Sequence, residues 1–436
     1  MASGTMITEI RLRDFKNFQD TRLKVGPFTV IVGTNASGKS NIRDVFRFLH
    51  GIGRGYSLAD IIGGRYGSGG QIEWTQMRGA ASEIVRFGQK RFQLDVYYLL
   101  NKTPGCYHIE VERSDQGRGG FRVVEEALTA GSEIIYKSSG IINTSHPGAD
   151  GLIHAQPEKQ DDETHLVLSM AKIENQRHFG YRVLTLPDQP ALSQVAGLKR
   201  VSRAHKERAQ ELLDLFAGIR FLDLVPDLMR KPSFPGQSVL GDSGENLPTA
   251  LQSICVDTAR KSILMDWVRE LTPMDVVDFE FRLDPLTGLV QLALKEDNGN
   301  IVSAYSASDG TLRFLAMLAS LLGPKPARLY FFEEIDNGIH PSRLRLLLDL
   351  IERQTEKGNF QVVTTTHSPD LVSMVSDSAF ESTSVVFRSP EADGAIIARV
   401  ADLPNAPALR QSQGLGRLHA SGWMEDMLGL DEEASA

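Results

Sequence analysis

The 436-residue chain is 41% hydrophobic and 23% charged, enough apolar material for one large or two modest globular domains. Its formal net charge of −8 argues against a surface that clings to nucleic acid as a whole and confines any DNA contact to a local groove. Two distant cysteines, Cys106 and Cys255, make neither a disulfide framework nor a zinc cluster, and no run of about eighteen apolar residues offers a membrane span, so a cytoplasmic protein without a membrane partner is expected.

The chain opens with runs that read as strands: MITEIRLRDF, TRLKV and FTVIVG. The last leads into a glycine-rich loop and then the amphipathic stretch SNIRDVFRFLHGI. Between Glu83 and Val111, EIVRFG, RFQLDVYYLL and YHIEVE are short, β-rich and separated by turn residues, which predicts an antiparallel meander. From about Lys137 to Thr185 the composition turns polar, with GADG and EKQDDETH, and predicts surface loops or an insertion. SRAHKERAQELLDLFAGI has helical spacing over a few turns, too few for the coiled-coil arm of a chromosome-structuring protein. From about Asp278, strands and helices alternate: FEFRLD, LVQLALKE, a helix over about 310–322, RLYFFEE, the helix PSRLRLLLDLIERQ, and FQVVTTTH. That alternation predicts a parallel sheet with crossover helices, hence an α/β fold with parallel and antiparallel parts.

Residues 33–40, GTNASGKS, fit G-x-x-x-x-G-K-[ST] and lie where that motif must lie, between an apolar strand and a helix. Glycines free backbone N–H groups to wrap phosphates, the helix N-terminus adds its positive end, Lys39 reaches the β- and γ-phosphates, and Ser40 can ligate Mg2+. Residues 331–341, FFEEIDNGIHP, set Glu333 and Glu334 at the carboxyl end of an apolar strand, where ligands of such sheets bind. Neighbours on a strand point opposite ways, so the two acids need different tasks. One holds Mg2+; the other orients or deprotonates the attacking water. SASDGTLRFLAMLASLL starts an apolar helix at which Ser308 serves as a plain N-cap or as part of a functional loop, and VVTTTHSPD ends a further strand with His367.

In that order, GTNASGKSN, SASDGT, FFEEIDNGIHP and TTTHSPD resemble the Walker A, signature, Walker B with D-loop, and switch-histidine elements of ABC-type ATPase heads. The resemblance is to the RecF, SMC and OLD-like branch, especially its compact standalone ATPases of prokaryotes, and it extends over residues 15 to 370. FKNF at Phe15–Phe18 and GDSGENLPTALQSI at Gly241–Ile254 also look like this branch. It implies a single ABC-ATPase head over 1–436, with a mixed central sheet, an antiparallel β subdomain and a helical or loop insertion. Within it, 1–136 would be the P-loop lobe, 137–235 the insertion and helical region, and 236–436 the signature, Walker B and switch-histidine lobe.

The resemblance also implies ATP and Mg2+ as cofactors. Gly33, Asn35, Ser37, Gly38, Lys39, Ser40 and Asn41 would surround the phosphates, with Asn35 near the γ-phosphate. Ser40, Glu333 and the Q-loop residue would serve the metal; Gln76 is the candidate for that loop, with Gln71 the alternative. Glu334 takes the place of the catalytic base, His367 that of the γ-phosphate sensor, and Asp336 falls in the D-loop. Ser308 and Gly310 match signature residues that contact the γ-phosphate held by the opposite subunit, which implies a homodimer with two ATPs sandwiched between two-fold-related heads. Two positions depart from the pattern: Glu333 stands where an aspartate is usual, and Asp309 where the first signature glycine is usual.

The expected function is an ATP-binding and ATP-hydrolysing switch that dimerises around nucleotide and controls a separate effector or a nucleic-acid transaction, as in prokaryotic anti-phage defence. The alternative is a RecF-like DNA-binding repair ATPase. About seventy residues follow His367, fewer than the Toprim domain of OLD-like nucleases needs, so a nuclease or toxin effector is expected on a separate chain. Lys199, Arg200, Arg203, Lys206 and Arg208, with Arg230 and Lys231, read either as a track for a nucleic-acid backbone or, given Glu207 and Glu211 among them, as a solvated helix face. A transporter subunit fits less well, because the signature reads SDGT and not the LSGGQ type.

Overall fold

The structure is a computed structural model that describes residues 5–34, 37–113, 120–143, 164–170, 182–199, 201–271, 276–358, 360–388 and 394–428. Buried and exposed residues alternate along β1 (Met6–Phe15) and β2 (Phe18–Lys24), which pair antiparallel with Phe15 opposite Phe18. β3 (Phe28–Val32) reads FTVIV and is buried at every position, as a strand covered on both faces must be. It feeds α1 (Lys39–Gly53) through the glycine-rich loop.

Next come the antiparallel strands β4 (Arg91–Leu100), β5 (Thr103–Arg113), β6 (Phe121–Ala130), β7 (Glu133–Asn143), β8 (Thr164–Met170) and β9 (Arg182–Thr185). They are followed by α2 (Arg203–Ala217), β10 (Ile219–Leu222), α3 (Leu247–Cys255), α4 (Asp309–Leu322), β11 (Leu329–Glu333), α5 (Pro341–Glu356), β12 (Gln361–Thr365), β13 (Ser384–Arg388) and β14 (Ala395–Arg399). All fourteen strands join one mixed sheet in the order β9-β8-β7-β6-β5-β4-β1-β2-β14-β13-β3-β12-β11-β10. From β13 through β3, β12 and β11 to β10 the pairing is parallel; the wing beyond β1 is antiparallel.

Strand alternation divides the core between the two faces of this sheet. Ile31 and Phe331 pack with Phe46 and Leu49 of α1 and Phe216 of α2, whereas Val30, Tyr330 and Phe332 pack with Leu251 of α3, Leu315 of α4 and Leu347 of α5. Each fully buried aliphatic or phenyl side chain contributes about 1.5–3 kcal/mol of transfer free energy, so both layers hold the parallel strands rigid beneath the loops. The α1–α2 contact is close because Gly53 lacks a side chain: a Cβ there would lie 2.2 Å from the Ala217 amide nitrogen.

A buried acid ties the wing to the following segment. Glu126 of β6 is fully covered and accepts from the Tyr136 and Tyr107 hydroxyls at 2.9 and 3.1 Å and from the Ala191 and Leu192 N–H groups at 2.6 and 2.7 Å. Burial pushes its pKa up to about 6, against the opposing pull of these donors.

Three expectations differ from the structure. EIVRFG does not join the meander: it follows a short 3-10 turn at Ala81–Glu83 and makes a single bridge, Phe15 to Val85. Residues 137–185 are not all loop, since β7, β8 and β9 extend the wing there; short apolar runs such as HLVLSM are masked by the polar residues around them. FEFRLD and LVQLALKE do not enter the parallel core. They lie in Val276–Leu283 and Val290–Glu296, which pair antiparallel with each other and, with Ile301–Ser303, make a separate three-stranded sheet.

Candidate nucleotide site

The loop after β3 can wrap tightly only because two of its residues lack side chains. Gly33 has φ +150° and Gly38 φ +120°, and a Cβ on Gly33 would meet the Val386 carbonyl oxygen at 2.4 Å. Gly38 is the N-cap of α1, with no side chain capping the free N–H groups of its first turn. Asn17 braces the loop from below: Nδ2 donates to the Ser37 carbonyl at 3.5 Å, and Oδ1 accepts from Asn41 Nδ2 at 2.6 Å. Lys16 is committed elsewhere, to Asp44 and to the Arg78 carbonyl.

Lys39 curls over the loop and donates to the carbonyls of Gly33 and Thr34 at 2.5 and 2.7 Å. Burial lowers its pKa, against the opposing charges of Glu334 and Glu425. Ser37 Oγ is buried without a hydrogen-bond partner, and Ser40 stands exposed on the first helical turn. A half-desolvated ammonium, uncapped helical N–H groups, an unpartnered hydroxyl and a cradle that a Cβ would fill together fit a bound phosphate chain. Asn35 lies outside the described residues.

β11 brings its acids to the same end of the sheet. It pairs parallel with β12, which pairs parallel with β3, so Glu333, Thr365 and the loop after Val32 end side by side. The two glutamates diverge because the strand stops between them: Glu334 adopts φ +49°, a left-handed conformation that costs a non-glycine residue on the order of 1 kcal/mol. Glu334 N–H donates to Thr365 Oγ1 at 3.3 Å, and its Oε1 lies 3.4 Å from Nδ1 of His367. Both side chains are about half exposed, open to a ligand from solvent.

Glu333 faces two arginines. Arg78 grips it with both guanidinium nitrogens, Nη1 to Oε1 at 2.9 Å and Nη2 to Oε2 at 2.7 Å, and Arg43 Nε of α1 lies 3.6 Å from Oε2. Gln71 and Gln76 are both exposed, one before and one after the short strand Ile72–Trp74 that leads to Arg78. The segment around Gln76 thus reaches the site, and the contact it makes there is through Arg78.

Downstream residues form a second cluster. Asp336 accepts from Thr366 Oγ1 at 2.8 Å, next to His367. Ser308 caps α4 by accepting from the Thr311 N–H at 3.2 Å, and stays exposed. Gly310 packs so closely on the turn after Glu334 that a Cβ would lie 2.5 Å from the Gly338 carbonyl oxygen. Asp309 pairs with Arg230, which also donates to the Ala307 carbonyl. Ser308 and Gly310 thus start α4 against the turn after Glu334, in which Asp336 lies.

Sequence reasoning missed Arg78 and Arg43, and gave Asn17 no bracing role. The FKNF run drew attention to Asn17. Nothing in the spacing marks a single arginine two residues after a candidate glutamine.

Residues 172–373 match a protein-family model described as "AAA domain, putative AbiEii toxin, Type IV TA system". The chain is 29% identical over 383 residues to an "ATP/GTP phosphatase" of Helicobacter pylori, an alignment covering 85% of this chain and 87% of that protein. Among solved structures it is similar to an SMC head bound to the C-terminal winged-helix domain of ScpA, at TM-score 0.46 and 14% identity over 90% of this chain and 97% of that one. The SMC head domain from Thermotoga maritima gives TM-score 0.42 and 11% identity over 90% and 98%. These likenesses support an ATP-hydrolysing enzyme, with the likeness to an AAA domain lying in residues 172–373, downstream of the phosphate loop and including the acids at the end of β11. No helix among the described residues is long and apolar enough to cross a membrane.

Proposed function

We propose that the chain is one ATP-hydrolysing head that dimerises around two ATPs and controls a separate effector, in the manner of an anti-phage defence switch. The observation that carries the catalytic part is the placement of Glu334. A left-handed turn lifts its carboxylate off the strand, beside His367 and near enough to Lys39 for the two charges to interact.

In this reading the loop N–H groups and Lys39 hold the β- and γ-phosphates, Lys39 exchanging the Gly33 and Thr34 carbonyls for phosphate oxygens. Ser40 and Glu333 hold Mg2+, which when bound neutralises phosphate charge. Glu334 accepts a proton from the attacking water, and His367 orients that carboxylate and senses the terminal phosphate. Gln76, exposed before Arg78, completes the metal side.

Dimerisation rests on the second cluster. Ser308, exposed at the cap of α4, Asp336 and the Gly310–Gly338 contact are suited to the nucleotide of a facing copy. ATP then joins two heads and hydrolysis releases them. The basic helix α2 favours an effector over duplex DNA, because Arg203 pairs with Glu207 at 2.7 Å and Arg208 with Glu211 at 3.5 Å.

Sedimentation of Glu334→Gln with Mg·ATP tests this reading. A dimer with ATP and a monomer with ADP is the expected result; one mass under both conditions contradicts the switch. A DNA-binding isotherm that weakens steeply with salt would instead favour a repair clamp.

A further inference from the structure

The carboxylate of Glu333 is already spoken for. Arg78 meets it with two parallel N–H···O bonds, the geometry of a strong, orientation-specific guanidinium–carboxylate pair, and Arg43 stands behind at 3.6 Å. Such a carboxylate has little residual charge to offer a divalent cation.

The segment that presents Arg78 is anchored on both sides. Trp74 is buried, its indole N–H donating to the Ile61 carbonyl at 3.0 Å, and the Arg47 guanidinium lies 4.5 Å over its ring. Arg47 also donates to the Thr75 carbonyl at 2.6 Å, and Lys16 to the Arg78 carbonyl at 2.8 Å. The backbone is thus fixed to α1 and to the turn after β1, while the half-exposed guanidinium can swing about its own side chain. Arg43 is held differently, with its guanidinium 5.3 Å over the Phe221 ring and its side chain largely covered, so it stays when Arg78 leaves.

We infer that Arg78 is a positioning residue that competes with Mg2+ for Glu333, so that loading the nucleotide site requires Arg78 to hand this carboxylate over. The inference rests on the ATPase reading above. Its consequence is a raised Mg2+ requirement for nucleotide binding: charge delivered as Mg·ATP displaces the guanidinium, whereas free nucleotide leaves the pair intact. Arg78 then sets a threshold against partial occupancy of the site.

The test measures binding and not turnover. A fluorescent ATP analogue is titrated with Mg2+ on the Glu334→Gln background, with Arg78 intact, as Arg78→Lys and as Arg78→Ala. Removing a half-exposed bidentate pair should lower the Mg2+ midpoint about fivefold in Arg78→Ala, with Arg78→Lys between the two. Circular dichroism establishes that each variant is folded, which is expected because Arg78 is exposed. An unchanged midpoint overturns the inference, as does loss of nucleotide binding by Arg78→Ala at saturating Mg2+, which would make Arg78 a phosphate ligand. If the Glu334→Gln protein with Arg78 intact binds no nucleotide at any Mg2+ concentration, the ATPase reading itself fails and the inference with it.

Discussion

Glu334 Oε1 stands 3.4 Å from Nδ1 of His367, although the two residues follow the ends of different strands, β11 and β12. Parallel pairing of those strands, with Glu333 opposite Thr365, sets the distance, and the left-handed turn at Glu334 points its carboxylate out of the sheet. In the proposed role of base, a carboxylate placed beside an imidazole has its position set before substrate arrives, which is what proton abstraction from water requires.

On the proposed reading, His367→Ala should lower ATP turnover by about a hundredfold while leaving nucleotide affinity little changed, because the imidazole lies beside the Glu334 carboxylate. Steady-state phosphate release alongside a binding titration separates the two effects. A loss confined to affinity would place His367 in binding.

Lys39→Ala has the opposite signature. Among the described residues its ammonium donates only to backbone carbonyls of its own loop, so the fold should persist, while nucleotide affinity falls about tenfold or more with the loss of a charged donor. Thermal melting and a fluorescent-nucleotide titration measure both; unchanged affinity would contradict the phosphate role.

Gly310→Ala puts a methyl group 2.5 Å from the Gly338 carbonyl oxygen, so the turn after Glu334 must move. A stability loss of about 1–3 kcal/mol in urea denaturation is expected, together with impaired ATP-dependent dimerisation. A variant as stable as the parent and still dimeric would mean that this contact is loose.

The pH dependence of stability should show the buried acid. The pKa of Glu126 is raised from 4.5 to about 6 by burial, so the folded state holds its proton over a range in which the unfolded chain has lost it. Folded protein thus loses stability relative to unfolded as pH rises from about 4.5 to about 6, by about 2 kcal/mol from this group. Glu126→Gln removes that dependence. The stability difference between variant and parent should shift by this amount in the variant's favour between pH 4.5 and pH 7; parallel curves would contradict it.

Much of the candidate nucleotide site is legible in the sequence because its parts are local. The loop from Gly33 to Ser40 declares itself by glycines at positive φ between a fully buried strand and a helix, and FFEE declares a strand end. Long-range partners were not legible. Arg78 and Glu333 are 255 residues apart, and only the stacking of β11, β12 and β3 beside α1 brings them together. The wing strands β8 and β9 escaped for another reason: their apolar runs are short and lie in polar surroundings, so pairing with β7 and not local pattern makes them strands. The hairpin of Val276–Leu283 and Val290–Glu296 has the alternation of any strand pair, which does not say which sheet it joins.

The central claim is that Glu334 is the base of an ATP-hydrolysing site, and single-turnover phosphate release tests it most directly. Parent protein and Glu334→Gln would each be mixed in excess over Mg·ATP, with bound nucleotide measured in the same reaction. The expected result is that both proteins bind ATP and the variant releases phosphate at least about a hundredfold more slowly. Equal rates, or no phosphate release by the parent while ATP is bound, would contradict it.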